Sequence, residues 1–246
     1  MGGGKGTRLR PFTHLINKHL LPVYDKPLIY YPLMTLKNCG IKKVLLISDP
    51  KSFLHYKKFL GNGSSFGLKI SFAIQKKTLG LAHALSYAEK FAEGQKLFVI
   101  FGDNIFINHE QIKKSVEEFT NYSQCGCRLF LKKVPDPERF GVAYINNSKL
   151  VSIIEKPKKP KSNLAVTGLY LYDNQVFSLI RTMKPSKRGE LEITDLNNIY
   201  LKNKLVDYEI VKGKWIDAGT FDSLLYASLL MFKQNKKLNS KPKSMG

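Results

Sequence analysis

The chain is short of acid. It carries 19 Asp and Glu against 40 Lys and Arg, a formal net charge of +21 over 246 residues. It has one tryptophan, Trp215, and three cysteines, Cys39, Cys125 and Cys127. Three thiols exclude a disulfide scaffold, and Cys125-Gly126-Cys127 has the wrong spacing for a zinc knuckle, so all three read as packing or incidental thiols in a reducing compartment. No apolar run approaches the roughly 20 residues of a membrane span. No apolar segment follows a basic start as in a secretory signal, so the expected location is cytoplasmic. No Gly-Lys-Ser/Thr closes a Walker loop, and no Gly-x-Gly-x-x-Gly is present. The lysines are spread along the whole chain, with no helix-turn-helix, finger or RNA-binding signature. Nucleic acid is therefore not the expected partner, and a general positive field suits small anions such as nucleotides and sugar phosphates.

What is present begins at the N-terminus. Gly2-Gly3-Gly4-Lys5-Gly6-Thr7-Arg8 packs glycine and cationic residues together. Glycines let successive N–H groups curl around one anion. Arg8 adds a planar fork that matches phosphate oxygens, and Lys18 supplies a second cation. A polyphosphate ligand fits this pattern, and so does a flexible terminus with incidental glycines.

Apolar content of 43% supports a sizeable core in a single domain. Buried strands are expected at Val44–Ser48, Leu68–Ile74 and Leu97–Phe101. Helices are expected at Ile29–Cys39, Gly80–Phe91 and Gln111–Tyr122. The second half is richer in strands: Cys127–Val134, a hairpin of Val142–Ile145 and Leu150–Glu155 turning at Asn146-Asn147, and Ala165–Tyr172. Helices at Glu192–Lys202 and Phe221–Lys233 follow. Loops are expected at Asn121–Gly126 and Lys156–Asn163, and the basic segment 234–246 is expected to fray. Strands alternating with helices argue for α/β architecture, a three-layer αβα Rossmann-like sandwich with a mixed, mainly parallel sheet.

Gly102-Asp103-Asn104 directly follows the strongest buried-strand candidate. Ligands of open α/β sheets sit at the carboxyl ends of strands, where a carboxylate can hold a cation. Asp217, in Trp215-Ile216-Asp217-Ala218-Gly219-Thr220, follows another short apolar run. Two Asp from separate strand ends could clamp one Mg²⁺, with phosphate oxygens and water completing its shell. Read singly, each is equally a turn residue. Glu155-Lys156-Pro157 ends the hairpin and reads either as a sugar and phosphate contact or as a surface ion pair. Arg188 to Asp195 reads as a helix start that helps to shape a site.

Residues 3–9 (Gly-Gly-Lys-Gly-Thr-Arg-Leu), Lys18 before Leu-Leu-Pro-Val, Lys26 to Leu33, Gly102-Asp103-Asn104, Glu155-Lys156-Pro157, Ala165 to Tyr170, Gly189 to Asp195 and Asp217-Ala218-Gly219-Thr220 occur in one order. In that order they resemble the sugar-1-phosphate nucleotidyltransferases across nearly the whole chain, and most closely the members that act on dTTP and glucose 1-phosphate. The resemblance implies the nucleotide-diphospho-sugar transferase fold over residues 1–233, with residues up to about 110 serving the nucleotide and 111–233 the sugar. It implies formation of dTDP-glucose and pyrophosphate with Mg²⁺, for deoxysugars such as rhamnose and for surface polysaccharide. The resemblance assigns Gly3, Gly4, Gly6 and Thr7 to wrapping the nucleotide, and Arg8 and Lys18 to gripping the triphosphate. By the same resemblance Gln75 and Gly80 read the base, Asp103 and Asp217 hold the metal, and Asn104, Gly141, Glu155 and Val166 touch the sugar. The resemblance further implies that Lys156 holds the sugar phosphate and that the assembly is a homo-oligomer, expected to be a tetramer. The reaction needs no side-chain nucleophile, because a phosphate monoester is already an anionic one. This agrees with the lack of a Ser-His-Asp or Cys-His pattern. UTP or CTP in place of dTTP, or nucleotide binding without turnover, are the alternatives.

Two departures from the resembled pattern set further expectations. Relatives of this type open with an apolar strand that feeds the glycine loop, whereas Met1 stands directly before the glycines. The sheet is therefore expected to lack support at that place, and an apolar N-terminal extension to raise both melting temperature and activity. The prolines usual between Gln75 and Gly80 are replaced by Lys76-Lys77-Thr78-Leu79, which loosens the expected discrimination between dTTP and UTP.

Overall fold

The computed structural model describes residues 1–2 and 6–239. A single turn, Phe12–Leu15 (α1), precedes a short ladder of Pro22–Val23 (β1) and Lys26–Pro27 (β2). Helix Tyr30–Asn38 (α2) stops at Gly40, whose positive φ of 84° suits a helix end. Strand Lys43–Ser48 (β3) leads to Pro50–Leu60 (α3). There the Asp49 carboxylate accepts from Ser52 N at 3.0 Å and Pro50 occupies the first turn. This helix is not among those expected from apolar periodicity; its Asp-Pro-x-Ser start is the local signal for it. Lys69–Ile74 (β4) follows, then a broken helical segment, Leu81–Ser86 (α4) and Glu89–Ala92 (α5), where one helix was expected.

Leu97–Ile100 (β5), Asn104–Phe106 (β6), Glu110–Asn121 (α6) and Cys127–Lys133 (β7) complete the first half. The hairpin is Gly141–Asn146 (β8) and Lys149–Glu155 (β9). It turns at Asn147 and Ser148, both with positive φ, as a two-residue turn matched to strand twist requires. Leu164–Tyr172 (β10), Val176–Thr182 (α7), Ile193–Lys202 (α8), Val206–Ile210 (β11), Trp215–Asp217 (β12) and Phe221–Asn239 (α9) close the chain. Helix α9 passes its expected end at Lys233, so residues 234–239 are helical rather than frayed, and 240–246 lie outside the described residues.

Strand β10 is the spine. It pairs with β7 along one edge, and with β8 and then β5 along the other, with a register shift between Val166 and Tyr170 around Gly168. A Cβ on Gly168 would sit 2.5 Å from the Phe101 ring and 2.8 Å from the Asn104 amide. The absence of a side chain there is what lets β10 pass the start of β6. Residues alternate between two cores along this strand. Tyr170 and Tyr172 face the layer of α4, α5, α7 and α8. Leu169 and Leu171 face the layer of α2, α3 and α6. This is the expected three-layer α/β sandwich with a mixed sheet. Its parallel part is smaller than expected: β3–β4 and β11–β7 are parallel, and the other six ladders among the described residues are antiparallel. The reason is local, because the second half is built of hairpins and short returns rather than helical crossovers.

Among the described residues, no strand lies between β3 and β5. Met1 and Gly2 occupy the end of that slot. The Met1 amino group donates to Ile100 O at 2.7 Å. Gly102 N donates to Met1 O at 2.9 Å, and Gly2 N to Ile47 O at 2.8 Å. The two bonds on the β5 side have the pattern of a parallel ladder, and a single bond reaches β3. Beyond them the slot is an apolar cavity lined by Leu33, Leu36, Val44, Leu85, Ala88 and Phe98. The three cysteines are free thiols, and burial pushes Cys39 up to about 12.

Candidate active site

Asp103 lies just past the end of β5. Its carbonyl accepts from Ala218 N at 2.9 Å, and β6 pairs with β12 so that Asp217 lies opposite Asn104. Two carboxylates from neighbouring antiparallel strands thus meet at one end of the sheet. Each has its own cation. Lys18 Nζ donates to Asp103 Oδ2. Arg8 Nη2 lies 3.9 Å from Asp217 Oδ2, and Arg139 Nη2 lies 3.7 Å from the same oxygen.

Burial alone would raise Asp103, but the charges of Lys18 and His19 and the bonds from Lys18 and Asn104 outweigh it and hold the carboxyl far below the usual range. Asp217 moves the other way, to about 6, because of burial first and then repulsion from Asp103, against the opposing pull of Lys18, Arg8 and Arg139. Repulsion between the two carboxyls adds to the effect of burial, and a bound cation would relieve it. Among the described residues, no group of three His, Cys, Asp or Glu side chains converges as a protein-only metal cage. Two carboxylate arms with substrate oxygens and water suit a hard divalent cation, so the donor set fits.

The support beneath the carboxylates is a buried polar knot. His19 is packed so closely on Gly102 that a Cβ there would lie 2.9 Å from its ring, which accounts for the glycine of Gly-Asp-Asn. His19 Nδ1 meets Tyr56 Oη at 3.0 Å, and burial, with the Lys18 charge, drives the imidazole down to about 3. The Asn17 amide donates to Gly2 O at 3.2 Å, to Asp49 Oδ2 at 3.3 Å and to Ser52 Oγ at 2.9 Å, tying the start of the glycine loop to α3. Asn104 is committed on every side. It donates to Asp103 Oδ1 at 3.0 Å and accepts from Gly168 N at 2.9 Å and from Trp215 Nε1 at 2.6 Å.

One cleft is lined by Arg8, Asp103, Asn104, Gly141, Glu155, Lys156, Val166 and Asp217, eight of the residues singled out in the sequence. Lys18 reaches it through Asp103. Glu155 accepts from Thr194 Oγ1 at 2.6 Å and lies 3.4 Å from Lys156 Nζ. Gln75 and Gly80 line an adjoining hollow with Thr78 and Glu190, and Leu81 borders both spaces. The Gln75 amide is turned to His83 Nδ1 at 2.9 Å. Gly6, at φ 56°, and Thr7 stand on the loop outside both spaces, and Gly3 and Gly4 fall outside the described residues. Sequence reasoning missed Arg139. Its signal was Pro135-Asp136-Pro137-Glu138-Arg139, a rigid turn before β8, but nothing in that turn says which way the arginine points.

The nucleotidyl transferase family model matches residues 1–234. A glucose-1-phosphate thymidylyltransferase of Neisseria meningitidis is 45% identical over 229 residues, covering 91% of this chain and 78% of that protein. One of Mycolicibacterium smegmatis is 44% identical over 231 residues, covering 93% and 79%. The crystal structure of a candidate glucose-1-phosphate thymidylyltransferase from Bacillus anthracis, in complex with a sucrose, has a TM-score of 0.88 and 46% identity, covering 100% of this chain and 95% of that one. A UDP-glucose pyrophosphorylase complexed with UDP-glucose has a TM-score of 0.83 at 26% identity, covering 95% and 97%.

Proposed function

The chain belongs to the nucleotidyl transferase family, and on that premise we propose that it catalyses the reaction for which its curated relatives are named, in which dTTP and glucose 1-phosphate give dTDP-glucose and pyrophosphate. The observation that carries this reading is the pair Asp103 and Asp217, each ion-paired to a cation of the N-terminal segment inside one cleft.

The chemistry asks for what the cleft provides. A phosphate oxygen of the sugar phosphate attacks the α-phosphorus of the nucleotide, and pyrophosphate leaves. Both reactants are anions, so the barrier is repulsion and misalignment. Arg8 and Lys18 take the triphosphate and the departing pyrophosphate, and Lys156 takes the sugar phosphate. Glu155 accepts sugar hydroxyls while Thr194 and Lys156 hold its orientation. Gly141 and Val166 form the sugar wall with Asn104 behind them. Gln75 and Gly80 face the base, and the loop of Gly3, Gly4, Gly6 and Thr7 wraps the nucleotide. Residues up to about 110 serve the nucleotide and 111–233 the sugar. Asp103 and Asp217 are the residues that would hold the divalent cation, read as Mg²⁺, which when bound neutralises phosphate charge.

The reading extends to a cytoplasmic supply of dTDP-glucose for deoxysugars and surface polysaccharide. Among the described residues, no helix is long and apolar enough to cross a membrane. It also includes a homotetramer. Helix α9 leaves Phe221, Leu225 and Leu229 exposed four residues apart, as a self-associating face would. The test is pyrophosphate release from glucose 1-phosphate with each of dTTP, UTP, CTP and ATP. Release is expected with dTTP, and Arg8→Ala is expected to lower it by about 100-fold. Release with UTP or CTP alone overturns the dTTP assignment, and release with none overturns the activity.

A further inference from the structure

Among the described residues that line the cleft, Arg139 is a cation that the reaction scheme above leaves without a task. It ends the turn Pro137–Arg139 and is held on two sides. Its Nη1 donates to Asp136 Oδ2. Its guanidinium lies over the Phe140 ring, 5.3 Å from the centroid. Phe140 in turn packs on Trp215 at 5.2 Å, and Trp215 is fastened to Asn104. The second nitrogen is different. Nη2 is buried and has no hydrogen-bond partner, since Asp217 Oδ2 at 3.7 Å is beyond bonding reach.

A buried guanidinium N–H without an acceptor is costly, and a native structure that keeps one commonly keeps it for a ligand. Here it belongs to a rigid fork of fixed charge, in the same cleft as Lys156 and Glu155. Lys156 is a flexible point charge whose side chain is 51% exposed. A lysine of that kind attracts a phosphate without orienting it, whereas an immobilised guanidinium fixes the direction of the oxygen it bonds.

We infer that Arg139 binds the phosphate group of the sugar 1-phosphate through Nη2, and that it, rather than Lys156, sets the angle at which that phosphate faces the nucleotide. This rests on the sugar 1-phosphate reading given above. The scaffolding alternative is that Arg139 only braces Asp136 and Asp217.

Calorimetry on the full chain separates the two. Glucose 1-phosphate is titrated in the presence of Mg²⁺ and α,β-methylene-dTTP, a nucleotide that cannot react, and the affinity for that nucleotide is measured alone. Arg139→Met is expected to weaken glucose 1-phosphate by about tenfold or more with nucleotide affinity unchanged. Arg139→Lys, which keeps a cation over Phe140, is expected to recover part of the loss and guards against a methionine variant that does not fold. In turnover, both variants are expected to raise KM for glucose 1-phosphate and to lower kcat, leaving KM for dTTP in place. Unchanged glucose 1-phosphate affinity in both variants overturns the inference. So does a parallel loss of both ligands that tracks a fall in Tm, which is the signature of a brace. If the wild-type chain itself takes up no glucose 1-phosphate, the underlying substrate reading fails and the inference fails with it.

Discussion

The cleft and the slot between β3 and β5 lie on either side of Gly102, and they are built in opposite ways. In the cleft every charge has a counter-charge already in place: Lys18 on Asp103, and Arg8 and Arg139 on Asp217. In the slot two strand edges face each other across apolar side chains, and among the described residues Met1 and Gly2 alone bridge them. Charge is therefore arranged before any ligand arrives, whereas the described residues leave an apolar cavity directly behind it. Met1 stands between the slot and the hollow of Gln75: it borders both, and its carbonyl accepts from Gly102 N.

The sharpest way to break the comparison is at the charged side. Asp103→Asn removes the carboxylate that Lys18 pairs with, and pyrophosphate release is expected to fall by about 100-fold or more. A loss under threefold in a stopped-time assay would mean that the paired charges are surface decoration. Next comes the slot. Four alternating β-branched residues joined ahead of Met1 would replace a buried ammonium, which burial lowers to about 6, by a neutral peptide N–H and would fill the cavity. The expected gain is about 5 °C in Tm, read by differential scanning fluorimetry. An unchanged Tm would show that the slot is not a weakness. The smallest effect concerns the knot between them. His19 has a folded-state pKa near 3, below its ordinary 6.5. Above 6.5 its contribution to stability is complete, and it is lost as pH falls from there toward 3. Chemical denaturation of His19→Gln should accordingly show a flatter loss of stability on acidification than the wild type, with equal slopes as the contrary outcome.

Much of this was legible in the sequence, and the parts that were not share a cause. The β10 run, the hairpin and both aspartates announce themselves by local pattern: continuous apolar residues, alternation around Asn147, and carboxylates after strands. The ordered motifs gathered eight residues into one cleft although 209 positions separate Arg8 from Asp217. What escaped depends on approach between distant segments. Arg139 reads as a surface turn until β12 is set beside it. Asn17, His19 and Tyr56 read as unremarkable polar residues until Gly2 and α3 are brought together. The balance of strand directions was misjudged for the same reason, since short strands such as β6 and β12 are identified by their partners rather than by their own composition.

Strand β10 also fixes a distance. Its first half, at Val166, lines the cleft, and three residues later Leu169 lies opposite Ile100, the last residue before the turn that carries Asp103. Extended chain advances about 3.3 Å per residue and hardly stretches. A single stretch of peptide is thus the ruler between the two halves of the cleft. Inserting or deleting one residue there would alter the spacing between the two sides of the cleft while leaving every charged side chain in the molecule untouched.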